Sequence, residues 1–275
     1  MSVYKKPMQY FEVEPGVEIY YEDRGSGSPV VFVPGWTFTS EMFCHQLEHF
    51  SKTHRVIVMN PRSHGPSSIA QHGNDYPTQA ADLAKLIRHL GLEDFVLVGW
   101  SFGCLTTWGY IRQEGLAGVK GMVMIDLSPR PLSEDPTDWV EGPLDEIAAA
   151  YNGFLLNRGG QRDFVSAYAQ EVMVQREMSP EEAFWIVEQA LGTPTHIAAA
   201  LFASGMFSNY LEEARLVDEK IPALSIIAEH WAETAVAFMN KHCPKTKTAV
   251  LGGHAMFWEH PEKFNRILED FLAAL

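Results

Sequence analysis

Residues 98–104 read VGWSFGC, a serine with a glycine two positions to either side. A serine hydroxyl is a weak nucleophile until a base takes its proton, and the backbone must present it to a substrate. A sharp turn from a buried strand into a helix does so, and small residues on either side prevent clashes in that strained turn. The flanking sequence fits: DFVLVGW reads as a strand, and SFGCLTTWGYIRQ as an amphipathic helix whose N-terminus lies against Ser101. Ser101 is therefore a candidate nucleophile, or a hydroxyl that orients a substrate at the same corner.

Two other spacings could carry chemistry. HQLEH, residues 45–49, matches H-x-x-E-H, which sets two zinc-binding histidines on one helical face. Spacing nominates no acidic third ligand, so His45 and His49 read as a solvated helix face and no metal is expected. RGSGSP, residues 24–29, leads into a strand rather than a helix, which removes the phosphate-cradling geometry of a dinucleotide loop. It reads as a hairpin turn, and no cofactor is expected.

What must position Ser101 is a sheet. Apolar, β-branched runs bounded by turn residues occur at 17–23, 29–35, 54–60, 94–100, 119–126, 223–229 and 247–253. Most are continuous rather than alternating, as strands buried on both faces should be. Helical spacing lies between them in SEMFCHQLEHF, PTQAADLAKLIRHLG, the run after Ser101 and PEKFNRILEDFLAAL. The alternation predicts an α/β fold, a mostly parallel sheet with helices on both faces. It breaks once, between Asp126 and Ala223, where DEIAAAYNGFLL, RDFVSAYAQEVM and SPEEAFWIVEQAL are helical and DPTDW, NRGG and LGTPT are turns. Pro180 stands in the first turn of the third of these helices, with Ser179 as its cap. Such an insertion reads as a helical cap over the sheet's carboxyl edge, dividing the chain into a core of 1–128 and 220–275 and a cap of 129–219.

Composition bounds the partners. The chain has 275 residues, 46% of them hydrophobic, enough for a buried core, and 21 Lys+Arg against 35 Asp+Glu give a net charge of -14. That charge repels phosphate backbones and anionic lipid, so neither nucleic acid nor membrane is expected as a partner. No apolar stretch reaches membrane-spanning length, and MSVYKKPMQYFEVEPG has no apolar run behind its lysines. Cys44, Cys104 and Cys243 have no C-x-x-C spacing and read as buried thiols in a reducing compartment. A soluble, cytoplasmic protein is expected.

On these residues the chain resembles the α/β-hydrolase superfamily with a helical lid inserted after the sixth strand. PVVFVPGWT resembles the third strand and oxyanion loop of that family, and NPRSHGPS its D-x-R-G-x-G-x-S stretch after the fourth strand. The resemblance implies a Ser101 nucleophile and two oxyanion-binding backbone N–H groups, those of Phe102 and Trp36. Trp36 follows Pro34-Gly35 where many relatives have His-Gly, but a peptide donor needs no particular side chain. The base should follow the last strand, as His254 does in LGGHAMFWEHPEKF. His260, beside Pro261, is better placed to cap the C-terminal helix.

The acid departs from the family's common pattern. It usually follows the seventh strand in a G-D-x-D-like stretch, where this chain has AEHWAET, with Trp231 at the second aspartate's place. Glu229 is one substitute. Asp126, ending VKGMVMID, is another, because some members carry the acid after the sixth strand, and an unpaired carboxylate there would be expensive.

Aromatic residues in the insertion and near Ser101 imply a dry pocket for a small apolar or aromatic molecule, with Trp36, Trp100, Trp231, Trp185 and Phe207 as its walls. One chemistry for this corner is a carboxylesterase or lactonase with a Ser101-His254-Asp126 triad. A second comes from resemblance, over nearly the full length, to the cofactor-independent dioxygenases that cleave 3-hydroxy-4-quinolones. Shared features are Gly35-Trp36, a Ser-x-Gly-Cys elbow, the aspartate after the sixth strand, no acid after the seventh, and a DPxxWxEG-like stretch at 135–142. That resemblance implies a His254-Asp126 base dyad, O₂ as reactant, and Ser101 as an orienting group. The chain departs from it at Phe38 and Phe102, where that branch carries histidines. A non-catalytic binding protein of the same fold is the third reading, whereas haloalkane dehalogenation needs an aspartate in place of Ser101.

Overall fold

The continuous apolar runs form the strands of a single sheet in the computed structural model, which describes residues 9–275; the expectation drawn on MSVYKKPM lies outside the described residues. The strands are β1 (Gln9–Glu14), β2 (Val17–Gly25), β3 (Pro29–Val33), β4 (Arg55–Met59), β5 (Phe95–Trp100), β6 (Val119–Ile125), β7 (Ala223–Ile227) and β8 (Lys247–Val250). Their order is β1-β2-β4-β3-β5-β6-β7-β8. β2 pairs antiparallel with β1 and β4, and every other pairing is parallel. β5 is buried along its whole length, as a strand covered on both faces should be.

Two readings of the N-terminal third need correction. QYFEVE forms an additional strand, β1, whose exposure alternates because it lies at the sheet edge and shields one face only. RGSGSP is not a hairpin turn: β4 lies between β2 and β3, and the segment steps across its start, with Ser28 O accepting from Arg55 N at 3.2 Å.

Outer helices α1 (Cys44–Phe50), α2 (Tyr76–His89) and α3 (Gly103–Glu114) follow β3, β4 and β5. Between β6 and β7 come α4 (Leu144–Phe154), α5 (Arg158–Tyr168), α6 (Pro180–Ala190), α7 (Thr195–Met206) and α8 (Leu211–Lys220). The chain closes with α9 (Ala232–His242), α10 (Met256–Glu259) and α11 (Pro261–Leu272). Helix α1 packs with α10 and α11, and α2 with α3, while α8 joins α3 through Arg112, which pairs with Glu213 and lies over the Tyr210 ring.

Helix α6 starts as its sequence predicts, with a full capping box between Ser179 and Glu182. Helix α5 starts earlier than its periodicity indicates, because Asn157 accepts from Gly160 N, and it ends in a π-turn at Ala169–Met173. The inserted helices are tied to the strand ends: Trp36 Nε1 donates to Ala198 O at 2.8 Å, and Thr193 Oγ1 to Ser63 O at 2.9 Å.

Cys104 and Cys243 are buried, but Cys44 is exposed, since α1 buries the stripe of Gln46, Leu47 and Phe50. His45 is exposed on the other side of that helix, and His49 Nε2 lies 2.7 Å from Glu269 Oε1 on α11. His260 occupies the N-cap position of α11 without a capping bond from its side chain. Among the described residues no helix is long and apolar enough to cross a membrane.

Candidate active site

Ser101 follows the last residue of β5 with φ 52°, a left-handed conformation that few non-glycine residues adopt. The turn is possible because its neighbours lack side chains. A Cβ on Gly99 would lie 2.7 Å from Cys104 Cα, and one on Gly103 would lie 2.3 Å from Val33 O. Asp126 stands at the equivalent place on the next strand: Trp100 is level with Ile125 in the β5–β6 register, and Asp126 has φ 54°. Backbone strain at both strand ends is over-determined by the ladder, with Ser101 N donating to Ile125 O and Asp126 N to Ile226 O, each at 2.8 Å.

The His254 loop is fixed from three sides. His254 N and Ala255 N donate to Val172 O and Met173 O of the π-turn, each at 2.9 Å, and Trp100 Nε1 donates to His254 O at 2.9 Å. The ring is held by Asp126, with His254 Nδ1 at 2.6 Å from Asp126 Oδ2. Because an ionised carboxylate only accepts, Nδ1 carries the hydrogen and Nε2 is left as the basic nitrogen. The other oxygen of Asp126 accepts from Ala228 N at 2.7 Å and from Trp231 Nε1 at 3.1 Å. Asp126 is 0% exposed, so these three donors offset its desolvation.

Glu229, the other candidate acid, is exposed and accepts from Gly252 N at 3.3 Å and Gln175 Nε2 at 3.2 Å. It braces the loop that carries His254 rather than the imidazole. Ser101 and His254 line one cavity, and among the described residues no hydrogen bond joins them.

Two backbone N–H groups flank Ser101. Those of Trp36 and Phe102 belong to buried residues and have no backbone acceptor among the described residues. The loop bearing Trp36 presses on the elbow: a Cβ on Gly35 would lie 2.9 Å from Ser101 Cβ. It is held there by Thr37, at φ 62°, whose N–H donates to His64 Nε2 at 3.1 Å. His64 Nδ1 donates to Arg62 O at 2.9 Å, and burial lowers its pKa to about 4, so the ring is neutral and its Nε2 remains an acceptor.

The cavity over Ser101 measures about 390 Å³, within the range of small-molecule sites. Trp36, Trp100 and Trp231 line it as predicted from sequence. Trp185 and Phe207 do not. Trp185 stacks on Trp258, with ring centroids 5.7 Å apart, and donates to Glu41, because α6 turns Ile186, Val187 and Ala190 inward instead. Phe207 is 70% exposed, past the end of α7. In their place Phe38, Phe164, Phe202 and Met206 form the apolar wall, and Glu141, Tyr168 and His230 add polar groups. Only DPxxWxEG pointed toward Glu141; helical periodicity could not distinguish inward-facing Tyr168 from its neighbours.

Residues 28–261 match the family model described as alpha/beta hydrolase fold. The chain belongs to the α/β-hydrolase fold family. It is 28% identical over 269 residues to a putative non-heme chloroperoxidase of Synechocystis sp., covering 93% of this chain and 95% of that one. A non-heme haloperoxidase of Rhodococcus erythropolis is 37% identical over 148 residues, 54% of this chain and about half, 53%, of that relative's length. A 2-heptyl-3-hydroxy-4-quinolone dioxygenase, also from Rhodococcus erythropolis, is 28% identical over 122 residues, 41% of this chain and 44% of that one. Among solved structures, an esterase of Exiguobacterium antarcticum superposes with a TM-score of 0.85 at 22% identity, covering 96% of this chain and 99% of that one. The relationships support an enzyme of the α/β-hydrolase class.

Proposed function

We propose that the enzyme is a serine hydrolase of carboxylesterase or lactonase type, acting on a small apolar or aromatic substrate. The observation that carries this reading is the Asp126-bound imidazole, whose free Nε2 shares a cavity with Ser101 at a strained elbow. His254 Nε2 takes the Ser101 proton as Oγ attacks the carbonyl carbon, and Asp126 stabilises the imidazolium. The oxyanion forms between the N–H groups of Trp36 and Phe102, where one such donor contributes about 10²–10³-fold to rate. Collapse expels the alcohol, which takes the proton from His254, and leaves an acyl-Ser101. Water, deprotonated by His254, then releases the acid and restores the serine.

The inserted helices serve as a cap that supplies the apolar wall, so longer or aromatic esters should be preferred over acetates, each buried methylene contributing about 0.8 kcal/mol. The esterase similar in fold supports the same class of chemistry.

A second reading is cofactor-independent dioxygenation of a 3-hydroxy-4-quinolone, favoured by the acid's position after β6 and by the similarity to a quinolone dioxygenase. There His254 and Asp126 deprotonate the substrate, its anion reacts with O₂, and Ser101 only orients it. The two chemistries separate when aryl esters and a 3-hydroxy-4-quinolone are offered in air and under nitrogen. The hydrolase reading requires ester turnover that ignores oxygen; quinolone cleavage confined to air, without ester turnover, overturns it.

A further inference from the structure

The proposed mechanism uses no acid other than Asp126, yet Glu141 also lines the cavity. Its backbone is anchored by Glu141 N donating to Pro131 O at 2.9 Å. Only part of the residue is covered, because it forms cavity wall, but Oε1 is out of reach of solvent and has no hydrogen-bond partner among the described residues. A polar atom left unpaired in a dry cavity is costly, and a ligand that supplies the partner removes the cost. Tyr168 enters the same cavity with its ring edge-on to His254, centroids 5.5 Å apart.

We propose that Glu141, with Tyr168 beside it, is a specificity-determining residue whose carboxyl donates a hydrogen bond to a keto or ether oxygen on the substrate's apolar body, away from the bond that is cleaved. Calling the ligand a substrate rests on the hydrolase reading; the binding contact does not. Burial, and then the Asp126 carboxylate, raise the Glu141 pKa to about 8, so at neutral pH the group is an acid with a hydrogen to give. Burial and the neighbouring carboxyls also raise the Tyr168 phenol well above its usual value, which keeps it a donor. The remaining wall is mostly apolar, so one such contact fixes which end of a flat ligand meets Ser101.

The test uses three probes of one shape, 1-tetralone, tetralin and 1-aminotetralin, bound to the whole protein and followed by quenching of the cavity tryptophans. The ketone should bind about tenfold tighter than the hydrocarbon near pH 6.5. That advantage should fall as pH rises through about 8, where Glu141 ionises and loses its hydrogen. Glu141→Gln, whose amide still donates, should keep the preference without the pH dependence, and Glu141→Leu should lose it while still binding tetralin. Asp126, Glu146, Tyr168, His230 and His254 also face the cavity and are present in Glu141→Gln, so a pH dependence that persists in that variant belongs to them and one that disappears belongs to Glu141. Equal affinities, failure of the ketone to bind, a preference surviving Glu141→Leu, or tighter binding of the ammonium would each overturn the proposal. Covalent labelling of Ser101, measured on the same samples, reports separately on the hydrolase reading.

Discussion

The indole N–H of Trp231 donates to Oδ1 of Asp126 at 3.1 Å, from the turn after β7 to the end of β6. The position at which related hydrolases usually carry their acid thus holds a donor to an acid on the neighbouring strand. Trp231→Phe keeps an aromatic ring and removes the donor. It should lower stability by about 1.5–3 kcal/mol, the usual worth of a hydrogen bond to a charged group, read as a shift of the urea midpoint. An unshifted midpoint would mean that Ala228 N–H and His254 suffice for Asp126.

Asp126→Asn should reduce kcat/KM for an aryl ester by about 10³–10⁴-fold, because an amide cannot hold the required tautomer and stabilise the imidazolium. Glu229→Gln should change it little, since Glu229 touches Gly252 N–H and not the ring. The opposite ranking would remove Asp126 from the proposed triad.

His64 ties the loop after Trp36 to acid stability. Its folded pKa of about 4 lies below the ordinary 6.5, so between these values the unfolded chain binds more protons. Stability from this residue is complete above pH 6.5 and is lost as pH falls toward 4, by about 3 kcal/mol in all. Urea unfolding at pH 7 and pH 4.5 should show a smaller acid loss in His64→Gln than in wild type; equal losses would assign the acid sensitivity elsewhere.

Gly35→Ala would set a methyl 2.9 Å from Ser101 Cβ and 3.2 Å from Trp100 O, pushing the Trp36 N–H off the elbow. Loss of one oxyanion donor predicts about 10²-fold lower kcat with a smaller change in KM, measured by steady-state ester hydrolysis. A change confined to KM would place the loop in binding rather than rate enhancement.

The parallel strands and the elbow were legible because each is local: a continuous apolar run, then Gly99-Trp100-Ser101-Phe102-Gly103. His254 and Asp126 were nominated through their places at strand ends, and their contact needed only that β6, β7 and β8 be neighbours. β1 was missed since QYFEVE alternates with polar residues and lies at an edge. Helix α7, THIAAALFASGM, is apolar on every side and offers no periodic stripe. The same limit misassigned Trp185 and Phe207: aromatic content says that an inserted helix packs, not which of its faces meets the cavity. Glu141 lies in a turn, WVEGP, where no repeat marks a side chain as inward.

Whether Ser101 is a nucleophile is read by intact-mass analysis after exposure to a fluorophosphonate. A nucleophilic Ser101 should give one phosphonyl adduct per chain, mapped to Ser101, absent in Ser101→Ala and strongly slowed in His254→Ala, which loses the base. A folded wild-type protein that takes up no adduct, and that cleaves a 3-hydroxy-4-quinolone in air whether or not Ser101 is present, would contradict that role and leave Ser101 an orienting hydroxyl.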